Sequence, residues 1–443
     1  MKMPKVPPKV SEIFVEIQKD PSRLEALLAR AYVVPKDKYP HWDHLIHLVP
    51  PEGMTHREWW LGLKLQRRTL FHRIPLKDKE GNPFQYLLMD LIFERLHQID
   101  LSAGGHIEMP DQITNPETRD RYYIASLIEE AITSSQLEGA STTRQVAKEM
   151  IRSGRKPHDR GEQMIFNNYL TMKAMGEFRS ERLTQELVFR IHRLVTGNTL
   201  DDPSAAGRFR RDDEPVTVND PYGTVFHYPP PADQLEERLS AMCDFANGKT
   251  PGGFLHPALR SIILHFWLAY DHPFVDGNGR TARALFYWSM LHHGYWLCEY
   301  ISISHILRKA PAQYSRAFLY TETDENDLTY FVFYHLDVID RAIRALHTYL
   351  RRKAEDLKAL EVKLKNFAVF NHRQRALLGH ALRHAGYQYT VQKHQASHNV
   401  VYETARSDLL SLQSRGLLQA QKMGRRWYFT PVGDLEKKLA GLS

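Results

Sequence analysis

His272-Pro273-Phe274-Val275-Asp276-Gly277-Asn278-Gly279-Arg280-Thr281-Ala282-Arg283 is the stretch from which the rest of the chain is read. It lies between two helical patterns, so it is a loop with a helix opening behind it. Two glycines let the backbone approach a ligand closely, and a helix start directs free N–H groups and a positive dipole end outward. Such a place binds anions. Arg280 and Arg283 stand three residues apart on one helix face, where two guanidinium forks can grip successive phosphates of a nucleotide. Asp276 can offer oxygen to a magnesium ion that also binds phosphate. His272 ends the preceding helix, and with an ordinary pKa of about 6.5 it can take a proton from an attacking hydroxyl at neutral pH. A histidine at a helix end is ordinarily structural; the neighbouring Asp276, Asn278 and arginines single this one out as the general-base candidate. Phe274 is expected to turn inward and pin the loop.

Outward from this loop the chain reads as mainly α. Apolar residues at helical spacing mark 121–139, 162–178, 184–195, 232–247 and 256–270, with Thr184 an N-cap. Val216, Val218, Val225 and Phe226 flank Asn219-Asp220-Pro221-Tyr222-Gly223, which predicts a β-hairpin closed by Pro229 to Pro231. Residues 1–115 read as an irregular helical lead-in with a glycine turn at Gly81 and Asn82. A highly charged helix is expected from Tyr330 to about Lys365, its segment 351–370 linking the region 116–350 to a last block, 371–443.

Composition narrows the classes. The 443 residues exceed one compact core, at roughly 100 to 200 residues per domain. A hydrophobic share of 42% builds real cores, and the net charge of +7 suits a phosphate-rich partner. Cys243 and Cys298 support neither a disulfide framework nor a thiolate zinc site, and His292 with His293 lacks the thiolates or helical spacing that zinc needs. No secretory signal or membrane span is read, which gives a soluble cytoplasmic protein as the expectation. Gly277-Asn278-Gly279-Arg280-Thr281-Ala282, with Glu299 downstream, also fits a dinucleotide fingerprint, but that motif follows a strand and here a helix precedes.

The loop resembles the signature of the Fic family: histidine, any residue, phenylalanine, any, Asp or Glu, Gly-Asn-Gly-Arg, and a second arginine three further on. All eight specified positions match. The resemblance implies a Fic-type helical core and an enzyme that moves AMP from ATP onto a protein Ser, Thr or Tyr hydroxyl, with ATP and Mg2+ bound. It implies His272 as base, Asp276 as magnesium ligand, Gly277, Asn278, Gly279 and Arg280 around the α and β phosphates, and Arg283 on the γ phosphate. The hairpin at Val216-Thr217-Val218 looks like the family's flap, which holds a target segment by strand addition; Gly207-Arg208-Phe209-Arg210 and Tyr228-Pro229-Pro230 resemble its flanks. Tyr314 and Asn326-Asp327-Leu328-Thr329 resemble the family's base-pocket helix.

Ser134-Ser135-Gln136-Leu137-Glu138-Gly139 resembles the family's inhibitory motif, Ser or Thr, three residues, Glu, then Gly or Asn. Ser134, Glu138 and Gly139 fill it, on the N-terminal side of the signature. The implied brake is Glu138 pairing with Arg283; in some relatives the equivalent glutamate also orients water to remove AMP. Thr404 to Leu418, followed by Gly424-Arg425-Arg426-Trp427-Tyr428-Phe429, resembles a winged helix, with a recognition helix from Tyr402 and Arg406, Lys422, Arg425 and Arg426 facing phosphates. That module serves DNA or protein partners, or a second copy of the chain. A self-modifying transferase and a nucleotide-sensing DNA-binding regulator both follow from these parts, and the intact His272 favours turnover.

Overall fold

The computed structural model describes residues 2–29, 39–104, 116–219, 222–367, 369–384, 386–423 and 426–441. They divide into two compact units: Met1–Gly105 with Ser126–Ile343, and His106–Ala125 with Arg344–Ser443.

The first unit opens with α1 (Val10–Ile17), α2 (Pro21–Ala29), α3 (Trp42–Leu45) and α4 (His56–Arg68). Thr55 and Glu58 form a capping box at the start of α4, which settles two of the N–H groups a helix start leaves open. Ile13, Leu45, Trp59 and Trp60 build a small core here. Next come β1 (Phe71–Lys77) and β2 (Pro83–Leu87), an antiparallel hairpin where the sequence suggested helices. Ile74, Leu76, Phe84 and Tyr86 are buried at alternating positions, but Pro75 in their midst argues against a strand. It is tolerated because β1 is paired on one side only.

The chain continues through α5 (Asp90–Ile99), α6 (Pro116–Leu137), α7 (Arg144–Ser153), α8 (Arg160–Phe178) and α9 (Gln185–Thr196), and α6 belongs to this unit from Ser126. Thr184 caps α9 as expected, accepting from the Leu187 N–H. A second hairpin, β3 (Val218–Asn219) with β4 (Val225–His227), precedes α10 (Leu235–Ala246), α11 (Pro257–Asp271), α12 (Asn278–His292), α13 (Ile303–Lys309), α14 (Pro311–Thr323) and α15 (Thr329–Asn366), the last belonging to this unit as far as Ile343. The expected long charged helix is α15. The centre of the unit is α12, packed on α8, α9 and α11. Every residue of α12 is buried except Gly279 and His292, the mark of a helix surrounded by others. Among the described residues no helix is long and apolar enough to cross a membrane.

In the second unit α16 (His372–Arg383), α17 (Val391–His398) and α18 (Tyr402–Ser414) precede an antiparallel hairpin, β5 (Leu418–Met423) with β6 (Arg426–Pro431), and α19 (Leu435–Ala440). Leu378, Leu409, Leu412, Leu417, Phe429 and Leu439 fill its core. The hairpin tip, Gly424 and Arg425, lies outside the described residues. Asp408 of α18 is a buried carboxylate that binds three groups from α16, its N-cap and α17: Arg373 Nε at 2.7 Å, Asn371 Nδ2 at 2.6 Å and His394 Nε2 at 3.2 Å. Burial pushes its pKa up, but these partners outweigh it and hold the carboxyl below the usual range. Its contribution is therefore present at neutral pH and lost as pH falls through the depressed native value. Asp408→Ala strands Arg373 and should cost this unit about 3 kcal/mol; hydrogen exchange of the full chain should quicken across 372–440 and stay unchanged across 126–343.

Candidate active site

The loop between α11 and α12 is set by backbone constraints. His272 ends α11 in the left-handed region, φ 46°, where a side chain costs about 1 kcal/mol or more. Arg210 holds it there: its Nε donates to the His272 carbonyl at 2.9 Å and its N–H to the Pro273 carbonyl at 2.9 Å. Phe274 is fully buried, as expected. Asn278 bonds it twice, accepting from the Phe274 N–H at 3.0 Å and donating to its carbonyl at 2.8 Å. The Asn278 side chain thus shapes the loop from within. Gly277, at φ 83°, passes so near Thr196 that a Cβ would lie 2.6 Å from that methyl. Thr281 donates the first backbone bond of α12, to Gly277, which leaves the N–H groups of Asn278, Gly279 and Arg280 without an intrahelical partner.

His192 of α9 is a residue that sequence reasoning missed. Its ring stacks on Phe274 with centroids 3.8 Å apart. Nδ1 accepts from the Gly207 N–H at 2.9 Å, so Nε2 carries the proton and donates to the Asp276 carbonyl at 2.9 Å. Burial lowers its pKa to about 4, which keeps it neutral. The available signal was a histidine on an apolar face, beside Val188, Ile191 and Val195.

His272 Nδ1 lies 2.9 Å from the Ala269 carbonyl. A carbonyl only accepts, so the proton sits on Nδ1 and Nε2 keeps its lone pair. Crowding of the ring, more than any charge, lowers its pKa to about 4. The imidazole is a neutral acceptor at physiological pH.

Arg280 is wholly buried, and Nη1 donates to the Val195 carbonyl at 3.0 Å. Its Nε and Nη2 find no hydrogen-bond partner among the described residues. Orphaned buried guanidinium donors at a helix start are what a phosphate oxygen would satisfy. Asp276 accepts from the Gly277 N–H at 2.5 Å, and its other oxygen lies 3.4 Å from Arg160 and 3.7 Å from Arg280. One partly exposed carboxylate suits a divalent ion held jointly with phosphates; no cluster of three or more ligands occurs among the described residues.

Arg283 is the point where Ser134 and Glu138 meet the loop. Its Nε donates to Ser134 Oγ at 2.8 Å, and its Nη2 to the Ser134 carbonyl at 3.0 Å and to Glu138 Oε1 at 2.9 Å. Glu138 lies in the turn closing α6, where Gly139 takes the left-handed conformation, φ 92°, that ends many helices. The Glu138 carboxylate rests on Gly279, where a Cβ would overlap it.

The hairpin β3–β4 pairs Val218 with His227 and Asn219 with Val225. Val216 and Thr217 precede the paired residues, and Asp220 and Pro221 of the turn lie outside the described residues. The hydroxyl of Tyr314 lies 2.8 Å from His265 Nε2, and among the described residues no hydrogen bond ties it to the loop. The segment Asn326 to Thr329 does something else: it pairs with β2 through Gln85 and receives the Tyr39 hydroxyl on Asp327 at 2.6 Å, fastening the N-terminal elements.

His227 ties the hairpin down. Nδ1 lies 2.7 Å from Glu322 Oε2 and Nε2 lies 2.7 Å from the Tyr270 carbonyl, a pair of acceptors that suits the imidazolium. Burial alone would lower its pKa; the two acceptors outweigh it and the net direction is up. The contact therefore contributes fully below about pH 6.5 and is lost as pH rises past the raised native value. Amide exchange at 225–228 should accelerate with alkaline pH beyond the intrinsic rate, and His227→Phe should abolish that dependence.

Residues 182–290 match the family model described as Fic/DOC family. The protein adenylyltransferase Fic of Nematostella vectensis is 40% identical over 107 residues, 24% of this chain and 22% of that protein. The protein adenylyltransferase Fic of Drosophila willistoni is 31% identical over 135 residues, 29% of this chain and 25% of that protein. The chain thus matches about a quarter of the length of these curated relatives. A crystal structure of a Fic family protein from Desulfovibrio desulfuricans superposes with a TM-score of 0.52 over 79% of this chain and 98% of that one, at 20% identity, a likeness of fold. Residues 182–290, which include the loop and most of α12, thus resemble a Fic/DOC-family domain, and the chain shares its fold with a solved Fic family protein.

Proposed function

We propose that the chain is a protein adenylyltransferase that transfers AMP from ATP to a protein hydroxyl and is restrained by its own Glu138. The observation that carries this reading is the pairing of a neutral His272, its Nε2 left as the acceptor, with a helix start whose Arg280 Nε and Nη2 are unmet among the described residues. In the proposed step a target hydroxyl gives its proton to His272 Nε2 as its oxygen bonds to the α phosphorus. The bond from that phosphorus to the bridging oxygen breaks, and pyrophosphate leaves. Arg280 and the N–H groups of α12 face the charge that develops on the phosphates. Magnesium, held by Asp276, would neutralise part of the phosphate charge. The Val216–Val218 segment would present the target chain. Tyr314 would border the nucleotide.

Glu138 supports the restraint because it occupies one Arg283 nitrogen, so an outer phosphate must displace it. Glu138→Gly should raise transfer at least about tenfold, equivalent to about 1.4 kcal/mol, and His272→Ala should lower it by about 10² to 10⁴. Intact mass after incubation with magnesium and ATP reads both: added AMP on the Glu138 variant, and none once His272 is also replaced. A variant that binds ATP yet modifies neither itself nor any protein would favour a nucleotide sensor. Loss of AMP from a modified chain only when Glu138 is present would show that the glutamate also serves removal. Because His272 stays neutral down to about pH 4, the rate of the Glu138 variant should hold as pH falls through 6.5 and drop only near pH 4.

For residues 371–443 we propose a winged helix that binds DNA, in a cytoplasmic protein whose two buried, free cysteines suit a reducing compartment. Three helices followed by a β-hairpin support this, as does the exposure of Arg406 on α18 and of Lys422 and Arg426 on β5 and β6. Replacing Arg406 and Lys422 by alanine should weaken binding across sequences and reduce the log–log salt slope by about 2; a slope unchanged from the parent would leave a protein-docking role.

A further inference from the structure

A cavity of about 390 Å³ lies between α6, the turn that follows it, the start of α7 and α13. Glu129, Thr133 and Gln136 face it from α6. Spaced at i, i+4 and i+7, they form one stripe of the helix, and Ser134, which bonds Arg283, falls on the other side. The cavity is therefore separate from the nucleotide site and has α6 as the shared wall. Its size is that of a small-molecule site, roughly 300 to 1,000 Å³. The wall is charged. Glu129 accepts from Arg144 Nη2 and from His305 Nδ1, the latter 3.0 Å away. Burial alone would raise the Glu129 pKa; these partners outweigh it and hold the carboxyl below its usual range. On the opposite wall Arg308 of α13 is exposed and makes no hydrogen bond or ion pair among the described residues. Two guanidinium groups from different elements thus stand against a single carboxylate that is already engaged, which leaves the cavity positive. Thr142 also belongs to the wall; only 9% of it is exposed, and its hydroxyl has no hydrogen-bond partner among the described residues. Buried hydroxyls are ordinarily satisfied.

The same wall carries the brake. Gln136 Nε2 donates to the Thr142 carbonyl at 2.9 Å, and the Ala140 N–H returns to the Ser135 carbonyl at 3.0 Å. These bonds close the turn that bears Glu138. Guanidinium forks match the oxygens of a phosphate, and the amide of Gln136 with the hydroxyls of Ser141 and Thr142 suits the hydroxyls of a sugar. We propose that this cavity binds a small sugar phosphate, gripped by Arg308 and Arg144, and that its occupant strengthens the hold of Glu138 on Arg283. The cavity exists in the arrangement where that ion pair is made. A ligand that joins α13 to residues 141–144 favours the state whose walls it fits, and so the turn that keeps Glu138 in place. This second step rests on the proposed function, in which Glu138 restrains transfer.

The probe is ribose 5-phosphate, titrated into the full chain by calorimetry, with ribose and inorganic phosphate beside it. It should bind more tightly than either. Arg308→Glu, a change at an exposed position, should weaken it about ten- to hundredfold, the effect of one hydrogen bond to a charged group. Undiminished binding to that variant would place the phosphate elsewhere, the loop before α12 included, and overturn the proposal. So would the absence of binding, or inorganic phosphate binding equally well, the behaviour of a bare anion patch. Saturating ribose 5-phosphate should also weaken ATP binding to the parent chain at least about fivefold and leave the Glu138→Gly chain unaffected. Equal weakening in both chains would mean competition at the nucleotide site and overturn the coupling. The two layers of argument fail separately. If the Glu138→Gly chain transfers no AMP while ribose 5-phosphate binds through Arg308, the transferase reading falls and the site stands; if that chain transfers AMP and the probe binds equally with and without Arg308, the site alone falls.

Discussion

A fully buried guanidinium has to be paired, and the site is built around meeting that need for Arg283. Taking such a charge out of water is tolerated only where acceptors surround it. Ser134 supplies two and Glu138 a third. The sole ionised partner in this set is Glu138. Removing it leaves the cation short of one negative charge, and a nucleotide's outer phosphate carries the charge and the oxygens to replace it. On the proposed function, restraint and substrate binding would be two solutions to one electrostatic requirement and would exclude each other. The same reasoning explains the bare Gly279: the carboxylate reaches Arg283 only across a residue without a Cβ.

The loop in front of Arg283 is held from three directions so that its backbone can face a ligand. Arg210 fixes the strained turn at His272, the Asn278 amide closes the loop on Phe274, and His192 carries the Asp276 carbonyl. None of these three groups needs to touch the phosphates. They fix the backbone that carries His272 and the first N–H groups of α12. That preorganisation is the part of catalysis a protein can supply before substrate is present.

The signature loop, the helix-ending segment Ser134 to Gly139 and the long helix α15 were legible because each is local. A glycine pair before a helix, a glutamate followed by a helix-ending glycine, and an apolar repeat all express their physics within a dozen residues. What stayed hidden was long-range. His192 lies 84 residues from the Asp276 carbonyl it supports, and nothing in its neighbours distinguishes it from a core histidine. The pair of β1 and β2 hid behind Pro75, whose cost depends on whether a third strand is present. Asn326 to Thr329 resembled a nucleotide pocket, yet its polar groups serve the N-terminal elements, because the bridge to Gln85 joins residues more than two hundred positions apart. Arg210 stood in view as part of a flank, but only the fold shows that its guanidinium braces a left-handed histidine.

Glu130 adds a mechanical consequence to the pairing of Glu138. It lies two turns earlier on α6, almost wholly buried, and accepts from the Tyr287 hydroxyl at 2.9 Å, Ser302 Oγ at 2.7 Å, the Ser304 N–H at 3.1 Å and Ser304 Oγ. Lifting α6 away from α12 and the start of α13 would strip a buried carboxylate of four donors, a far larger penalty than rotating one partly exposed side chain. Glu138 itself keeps 30% of its side-chain surface in solvent and sits beyond the last helical residue, next to a glycine. The two carboxylates of α6 therefore divide the work. Glu130 fastens the helix, and Glu138 is the part that can leave while the helix stays. On the proposed function, exchange of the glutamate for a phosphate would then need no domain movement, only a change in one side chain and the turn that bears it.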